Sequence, residues 1–389
     1  MKKYLALILA LAMSLSLVAC GGSKTEAPAQ TEKPAETQQH AEASGADFSV
    51  AMITDYGDIT DQSFNQTTYE ACKAYCEANG VDFSYFKPAG DSTAERVAMV
   101  ESAVDEGYTV IVMPGYAFGE TIAQVADEFS DVTFIALDVS QGDLGDYTLP
   151  DNVYCAVYQE ELCGYMAGYA AVKLGYTHLG FLGGMAVPAV VRYGYGFVQG
   201  ADAAATETGA DVTMEYVYGN QFWGDADITA YMDNWYQTLG VEAVFACGGG
   251  IYSSAAEAAQ KVGAKVIGVD VDQAGIIDSK YGDKMTVTSA MKGLAPTVKT
   301  MLTEIMAGNW DKYAGKVETL GLVSGDDPTL NYVQLPMDTT QWTDSFTQDN
   351  YKSLVKDMFD GKITVSNDIT KSAADFATVI TVDDQGKIK

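Results

Sequence analysis

At 389 residues the chain exceeds what one hydrophobic core usually covers, and 48% hydrophobic residues are enough to bury two cores, so two domains are expected. With 53 acidic against 23 basic residues the formal net charge is −30, and there is no clustered Lys and Arg field to neutralise phosphates, which argues against nucleic acid as a partner. Histidine is confined to His40 and His178, too few for a histidine metal centre or a hydrolytic triad; no cofactor, no metal and no catalytic residue are expected.

The first segment reads as a leader. Lys2 and Lys3 precede an apolar stretch, Leu5 to Ala19, too short for a spanning helix. It ends in Leu17-Val18-Ala19-Cys20, which resembles a bacterial lipobox, so residues 1–19 are expected to be removed and Cys20 to carry a lipid that attaches the protein to the outer face of the cell membrane. Residues 20–46 are rich in Pro, Glu, Gln, Thr and Ala and have no aliphatic side chain larger than Ala, the composition of a disordered tether.

From residue 48 strand and helix patterns alternate with short connections. Strands are predicted at 48–54, 81–86, 109–113, 132–137 and 152–157, with helices at 64–79, 91–106 and 118–128. The pattern then begins again, with helices at 159–174, 193–208, 225–238 and 252–261 and strands at 177–182, 212–218, 242–246 and 264–269. Such alternation implies an α/β protein built as two doubly wound lobes, 48–157 and 158–284. Less regular strands at 285–289, 317–323 and 330–335, and helices at 293–307 and 349–360, are expected to stitch the lobes together, with a segment near 285–310 returning to the first lobe and part of 311–389 belonging to the second. Cys72 and Cys76, four apart on one helix face, and Cys155, Cys163 and Cys247 have no ligand spacing and read as core.

Polar or glycine-rich residues follow the strands. In the first lobe these are Asp55, the Ser63-Phe64-Asn65 turn, Gly115-Tyr116 and Asp138; in the second, Gly183-Gly184-Met185, Asn220 to Trp223, Gly248-Gly249-Gly250 and Asp270 to Gln273. One such loop means little, but eight in register mean a cleft, because ligands of open α/β sheets bind beyond the carboxyl ends of the strands. Carboxylates accept from vicinal hydroxyls, an Asn amide matches a mixed donor and acceptor edge, and Phe or Trp covers a flat ring, so sugars and nucleosides both fit. A phosphate fits poorly among aspartates, and no GK[ST] follows the glycine run.

TDYGDITDQSFNQTTYEA (54–71) resembles the opening signature of the basic membrane protein family of substrate-binding lipoproteins, which includes nucleoside receptors of ABC transporters. FLGGMAVPAVVRYGYGFVQGAD (181–202), VIGVDVDQ (266–273) and TSAMK (288–292) are similar to further segments of that family, in the same order. The resemblance implies a type I periplasmic-binding-protein fold, two Rossmann-like lobes joined by three crossovers and closing on a central ligand. It carries ligand contacts onto Asp55, Phe64, Asn65 and Asp138 of the first lobe and Phe222, Gly248, Asp270 and Lys292 of the second lobe and hinge. Phe64 and Phe222 would flank a base, Asn65 and Asp138 read its edge, and Asp270 with Lys292 hold ribose hydroxyls. The chain departs from the family's usual strings at Val191, where an acidic residue is common, and at Cys247-Gly248-Gly249-Gly250-Ile251; either Phe222 or Trp223 could face the ligand.

The expectation is therefore a lipid-anchored, monomeric receptor that binds a nucleoside, a purine nucleoside first, and hands it to an ABC permease. A receptor for another small polar solute such as a sugar, and a nucleoside-cleaving enzyme, are the alternatives the residues leave open.

Overall fold

A parallel strand buried on both faces reads as continuous apolar sequence, and such runs set the architecture here. The computed structural model describes residues 48–388, so the stretches read as leader and tether lie outside the described residues. The first lobe winds through β1 (Ser49–Ile53), α1 (Phe64–Asn79), β2 (Asp82–Phe86), α2 (Thr93–Asp105), β3 (Val110–Pro114), α3 (Phe118–Val125), β4 (Thr133–Leu137), a short α4 (Gln141–Leu144) and β5 (Val153–Tyr158). The second takes α5 (Glu160–Lys173), β6 (His178–Gly183), α6 (Pro188–Thr208), β7 (Thr213–Tyr218), α7 (Ala226–Asn234), β8 (Ala243–Cys247), α8 (Tyr252–Gln260), β9 (Lys265–Asp270), α9 (Ala274–Tyr281) and β10 (Thr286–Lys292). The chain then adds α10 (Leu294–Met306), β11 (Lys316–Leu320), β12 (Val333–Gln334), α11 (Gln348–Phe359) and β13 (Thr381–Lys387).

The strands form two sheets, ordered β11-β5-β4-β3-β1-β2 and β12-β10-β9-β8-β6-β7-β13. All neighbours are parallel except β12, which runs antiparallel to β10. Alternate side chains serve opposite faces: Val50 and Met52 join one core cluster, Ala51 and Ile53 another. The five described cysteines are free and buried in these cores.

One expectation is corrected. Residues 286–292 do not return to the first lobe, because β10 pairs with β9 from Ser289 opposite Gly268 to Met291 opposite Asp270, and its buried side chains hold it inside the second sheet. The chain recrosses at Gly293, so that α10 packs on α1 and β11 extends the first sheet beside β5. Residues 321–332 make the last crossing. The crossings lie side by side, with Gln159 N donating to the Leu320 carbonyl and Gly293 N to the Tyr332 carbonyl.

Helix α6 begins five residues earlier than the spacing predicts, at Pro188, whose fixed φ suits the first helical position. It lies unusually close to α5. A β-carbon at Gly164 would stand 2.1 Å from the Tyr193 carbonyl oxygen, and one at Gly196 would stand 2.1 Å from that of Glu161; Gly168 and Gly200 repeat the arrangement one turn on. The glycines let the two backbones touch and set the first turns of both helices side by side.

The last strand, β13, was not predicted, since Thr381–Lys387 is exposed and charged. It is held to the edge of β7 through its approach: Asp202 of α6 accepts from the backbone N–H groups of Thr378, Val379 and Ile380 and from the Thr378 hydroxyl. Burial alone would raise the Asp202 carboxyl, but these hydrogen bonds outweigh it and lower its pKa. The stability it contributes is therefore complete at neutral pH and is lost as pH falls through the folded-state value, below the ordinary carboxylate range. Replacing Asp202 with Ala should cost about 2 kcal/mol in urea denaturation at pH 7 and little at pH 2–3, with amide exchange accelerating first in residues 378–387.

Candidate functional site

Each sheet reverses its winding direction once, between β1 and β3 in the first and between β6 and β8 in the second. At such switch points the loops diverge and leave a crevice. The two crevices face each other across a cavity of about 550 Å³, within the range of small-molecule sites. All eight residues singled out from the sequence line it: Asp55, Phe64, Asn65 and Asp138 from one side, Phe222, Gly248, Asp270 and Lys292 from the other.

Asp55 follows β1 and turns back on its own loop, Oδ1 accepting from Tyr56 N at 2.7 Å and Gly57 N at 2.8 Å. Burial raises its pKa. Gly115, after β3, leaves room for it, since a β-carbon there would lie 2.9 Å from Asp55 Oδ2. The start of α1 is capped by Asp61, whose carboxylate accepts from the backbone N–H groups of Ser63, Asn65 and Gln66. This presents the half-buried ring of Phe64 and the amide of Asn65 to the cavity. Asn65 Nδ2 donates to Asp61 at 3.3 Å, and its Oδ1 is buried with no hydrogen-bond partner among the described residues.

Across the cavity Phe222 rests on a floor of glycine. A β-carbon at Gly184 would come within 2.5 Å of its ring, and at Gly248 within 3.1 Å. Gly249 supplies the turn, with φ at +52°. The run Gly248-Gly249-Gly250 is thus a close-approach loop. Trp223, the other candidate ring, lines the cavity from its rim and is 55% exposed, whereas Phe222 is half-buried.

Lys292 ends β10 and is the electrostatic centre. Its Nζ lies 2.6 Å from Asp138, 3.4 Å from Glu160 and 3.8 Å from Asp270, and 5.0 Å from the centroid of the Phe64 ring. The shortest pair is with Asp138 of the opposite lobe, whereas the sequence reading paired Lys292 with Asp270. Burial alone would lower the Lys292 pKa, but the three carboxylates reverse that and hold the ammonium charged. Asp138 and Asp270 both adopt left-handed backbone, φ +61° and +64°, which turns their carboxylates inward. Asp138 Oδ1 is a second buried acceptor without a hydrogen-bond partner among the described residues.

Glu160 and Arg192 were not assigned roles from sequence. Glu160 is fully buried directly after β5, takes Arg192 Nε at 2.7 Å on Oε2, and faces Lys292 with Oε1. The α5–α6 glycines bring these two together. The first-lobe loops counted from sequence follow β1, β3 and β4 and pass over β5, whose end would have pointed to Glu160. Tyr116, read from sequence only as part of the Gly115-Tyr116 strand end, lines the cavity, as does Tyr193, which carried no separate signal. Replacing Lys292 with Met would leave buried Asp138 and Asp270 without a cation and Glu160 with Arg192 alone. A stability loss of about 3–5 kcal/mol is expected in denaturant unfolding at pH 7, shrinking as pH is lowered and the carboxylates protonate.

The chain matches the family described as Bmp, ABC transporter substrate-binding protein PnrA-like, over residues 48–326. It is 25% identical to the ABC transporter nucleoside-binding protein BmpA of Lactococcus lactis over 82% of this chain and 89% of that protein. It is 29% identical to the CD4+ T-cell-stimulating antigen of Listeria monocytogenes over 79% and 84%. Among solved structures, an ABC transporter solute-binding protein from Aeropyrum pernix superposes with a TM-score of 0.62 at 21% identity, over 85% of this chain and 90% of that one, which supports the type I periplasmic-binding-protein fold. Helices long and apolar enough to cross a membrane are absent among the described residues. The chain belongs to the PnrA-like family of ABC transporter substrate-binding proteins.

Proposed function

We propose that the solute is a nucleoside, a purine nucleoside first, and that the protein, held to the outer membrane face through a lipid on Cys20, delivers it to an ABC permease without chemical change. The observation that carries this reading is the pair of buried acceptors without hydrogen-bond partners among the described residues, Asn65 Oδ1 and Asp138 Oδ1, in a cavity that also offers two aromatic rings. Buried polar atoms in folded proteins are almost always paired, so this pair calls for a ligand that donates hydrogen bonds from the edge of a flat ring. Phe64 and Phe222 would flank that ring. Asp270, with Lys292 beside it, would accept from ribose hydroxyls. Asp55, Asp61, Asp138 and Asp270 all line the cavity and disfavour a phosphate. The name of the Lactococcus lactis relative points to the same solute class, and Leu17-Val18-Ala19-Cys20 supports the anchor.

A thermal-shift screen of nucleosides, free bases, nucleotides and sugars tests the reading: purine nucleosides should raise the melting temperature and their 5′-phosphates should not. A shift with a sugar and none with any nucleoside would discard it while leaving the family intact. Replacing Asp270 with Asn should weaken ribonucleosides at least tenfold more than 2′,3′-dideoxynucleosides in calorimetry; equal losses would remove Asp270 from ribose recognition. Incubation with inosine should release no free hypoxanthine.

A further inference from the structure

Two hydrogen-bonded pairs join the lobes beside the cavity, Gln62 with Gln273 and Ser63 with Asp270, and of these four residues only Asp270 lines it. Gln273, just past β9, is fully buried. Its Oε1 accepts from Val269 N at 3.0 Å and its own backbone N–H donates to Ser289 Oγ at 3.1 Å. Gly268 leaves the space, since a β-carbon there would stand 3.0 Å from Gln273 Oε1. With the oxygen taken by a backbone donor, the amide can point its NH₂ only one way. It donates to the carbonyl of Gln62, in the other lobe, at 3.0 Å.

The first lobe is arranged to meet it. Gln62 holds φ at +57°, a left-handed conformation unusual for a glutamine, and is fastened there by Gln66 Oε1, which accepts from both Gln62 N and Gln62 Nε2. Ser63 occupies the N-cap position of α1 but caps nothing. Its hydroxyl donates instead across the cleft to Asp270 Oδ2 at 2.6 Å, and Asp61 takes over the capping. A strained turn and a capping residue turned away from its own helix are hard to account for within the first lobe alone. Both are accounted for by contact with the second.

We propose that Gln62 and Ser63 of the first lobe and Gln273 and Asp270 of the second form a clasp that favours the closed arrangement whether or not solute is bound, with Gln273 as its positioning residue. Of the four only Asp270 lines the cavity; Gln62 and Gln273 do not, so their half of the clasp acts on the closed population and not on solute contacts. Apparent affinity scales with the fraction of molecules already competent to bind, so the clasp strengthens every solute by one common factor. This holds whichever solute the site takes, and so goes beyond the nucleoside reading.

The test uses the full chain with Cys20→Ala and spin labels at Glu101→Cys on α2 and Gln260→Cys on α8, exposed positions in opposite lobes, the other native cysteines being buried. Gln273→Glu keeps the acceptor for Val269 N and loses the donor to Gln62; Gln273→Met loses both without burying a charge and serves if the first variant fails to fold. Without solute, the distance distribution of either variant should shift toward the longer, open separation. By calorimetry, Kd for inosine and for guanosine should rise by the same factor, about fivefold. Distributions that coincide with that of the parent chain overturn the proposal, as do unequal factors for the two nucleosides. If the parent chain binds neither nucleoside, the nucleoside reading fails by itself and the solute-free distances still decide the clasp.

Discussion

A primary ammonium buried between two domains can stay charged only if acceptors reach it from every side, and the cleft is built around that requirement at Lys292. Its three carboxylates come from separate parts of the chain: Asp138 beyond β4, Glu160 beyond β5 and Asp270 at the end of β9. None is its neighbour in sequence. Bringing them together takes both sheets, the first crossover and the close helix pair that sets Arg192 behind Glu160. The left-handed backbone at Asp138 and Asp270 is in keeping with the same demand, because an extended residue at a strand end would carry its side chain out onto one face of the sheet instead of into the gap beyond its edge.

The scaffold was largely legible because its strands are buried on both faces and announce themselves as unbroken apolar runs such as Val110–Pro114 and Ala243–Cys247. The cleft was legible for a related reason: strand ends in an open parallel sheet share one edge, so their polar loops must converge. Less could be read where the deciding partner is remote. Gln273 stands inside a recognisable string, yet its contact is 211 residues away, and nothing local marks it. The placement of β10 was misread for the same reason, since periodicity reports that a strand is buried but not which sheet receives it. Strand β13 escaped notice because an exposed edge strand, held by a side chain of α6 and not by its own apolar pattern, carries almost no signal of its type.

The cleft separates two kinds of work within a few residues. Asn65, Asp138, Phe64 and Phe222 line the cavity and are the residues proposed to meet a solute. Gln62, Ser63 and Gln273 fasten lobe to lobe without lining the cavity. Asp270 belongs to both groups, one oxygen toward Lys292 and the other engaged by Ser63. Asp270 therefore stands where the proposed ribose contact and the lobe-to-lobe contact meet, whereas Phe222 packs within its own lobe on Gly184 and Gly248 and lines the cavity.

The glycine contact between α5 and α6 also decides how charge is shared when the lobes part. Interlocked backbones do not slide, so α5 and α6 travel as one piece with the second sheet, and Glu160, Arg192, Asp270 and Lys292 travel with them. Asp138 alone stays behind, beside Asp55 and Asp61. An open molecule would thus show an arriving solute two unlike jaws, one mainly acidic, with Lys87 paired to Asp58 as its cation, and one carrying two cations against two carboxylates. A neutral molecule with donors on one edge would be captured first, and oriented, by the acidic jaw.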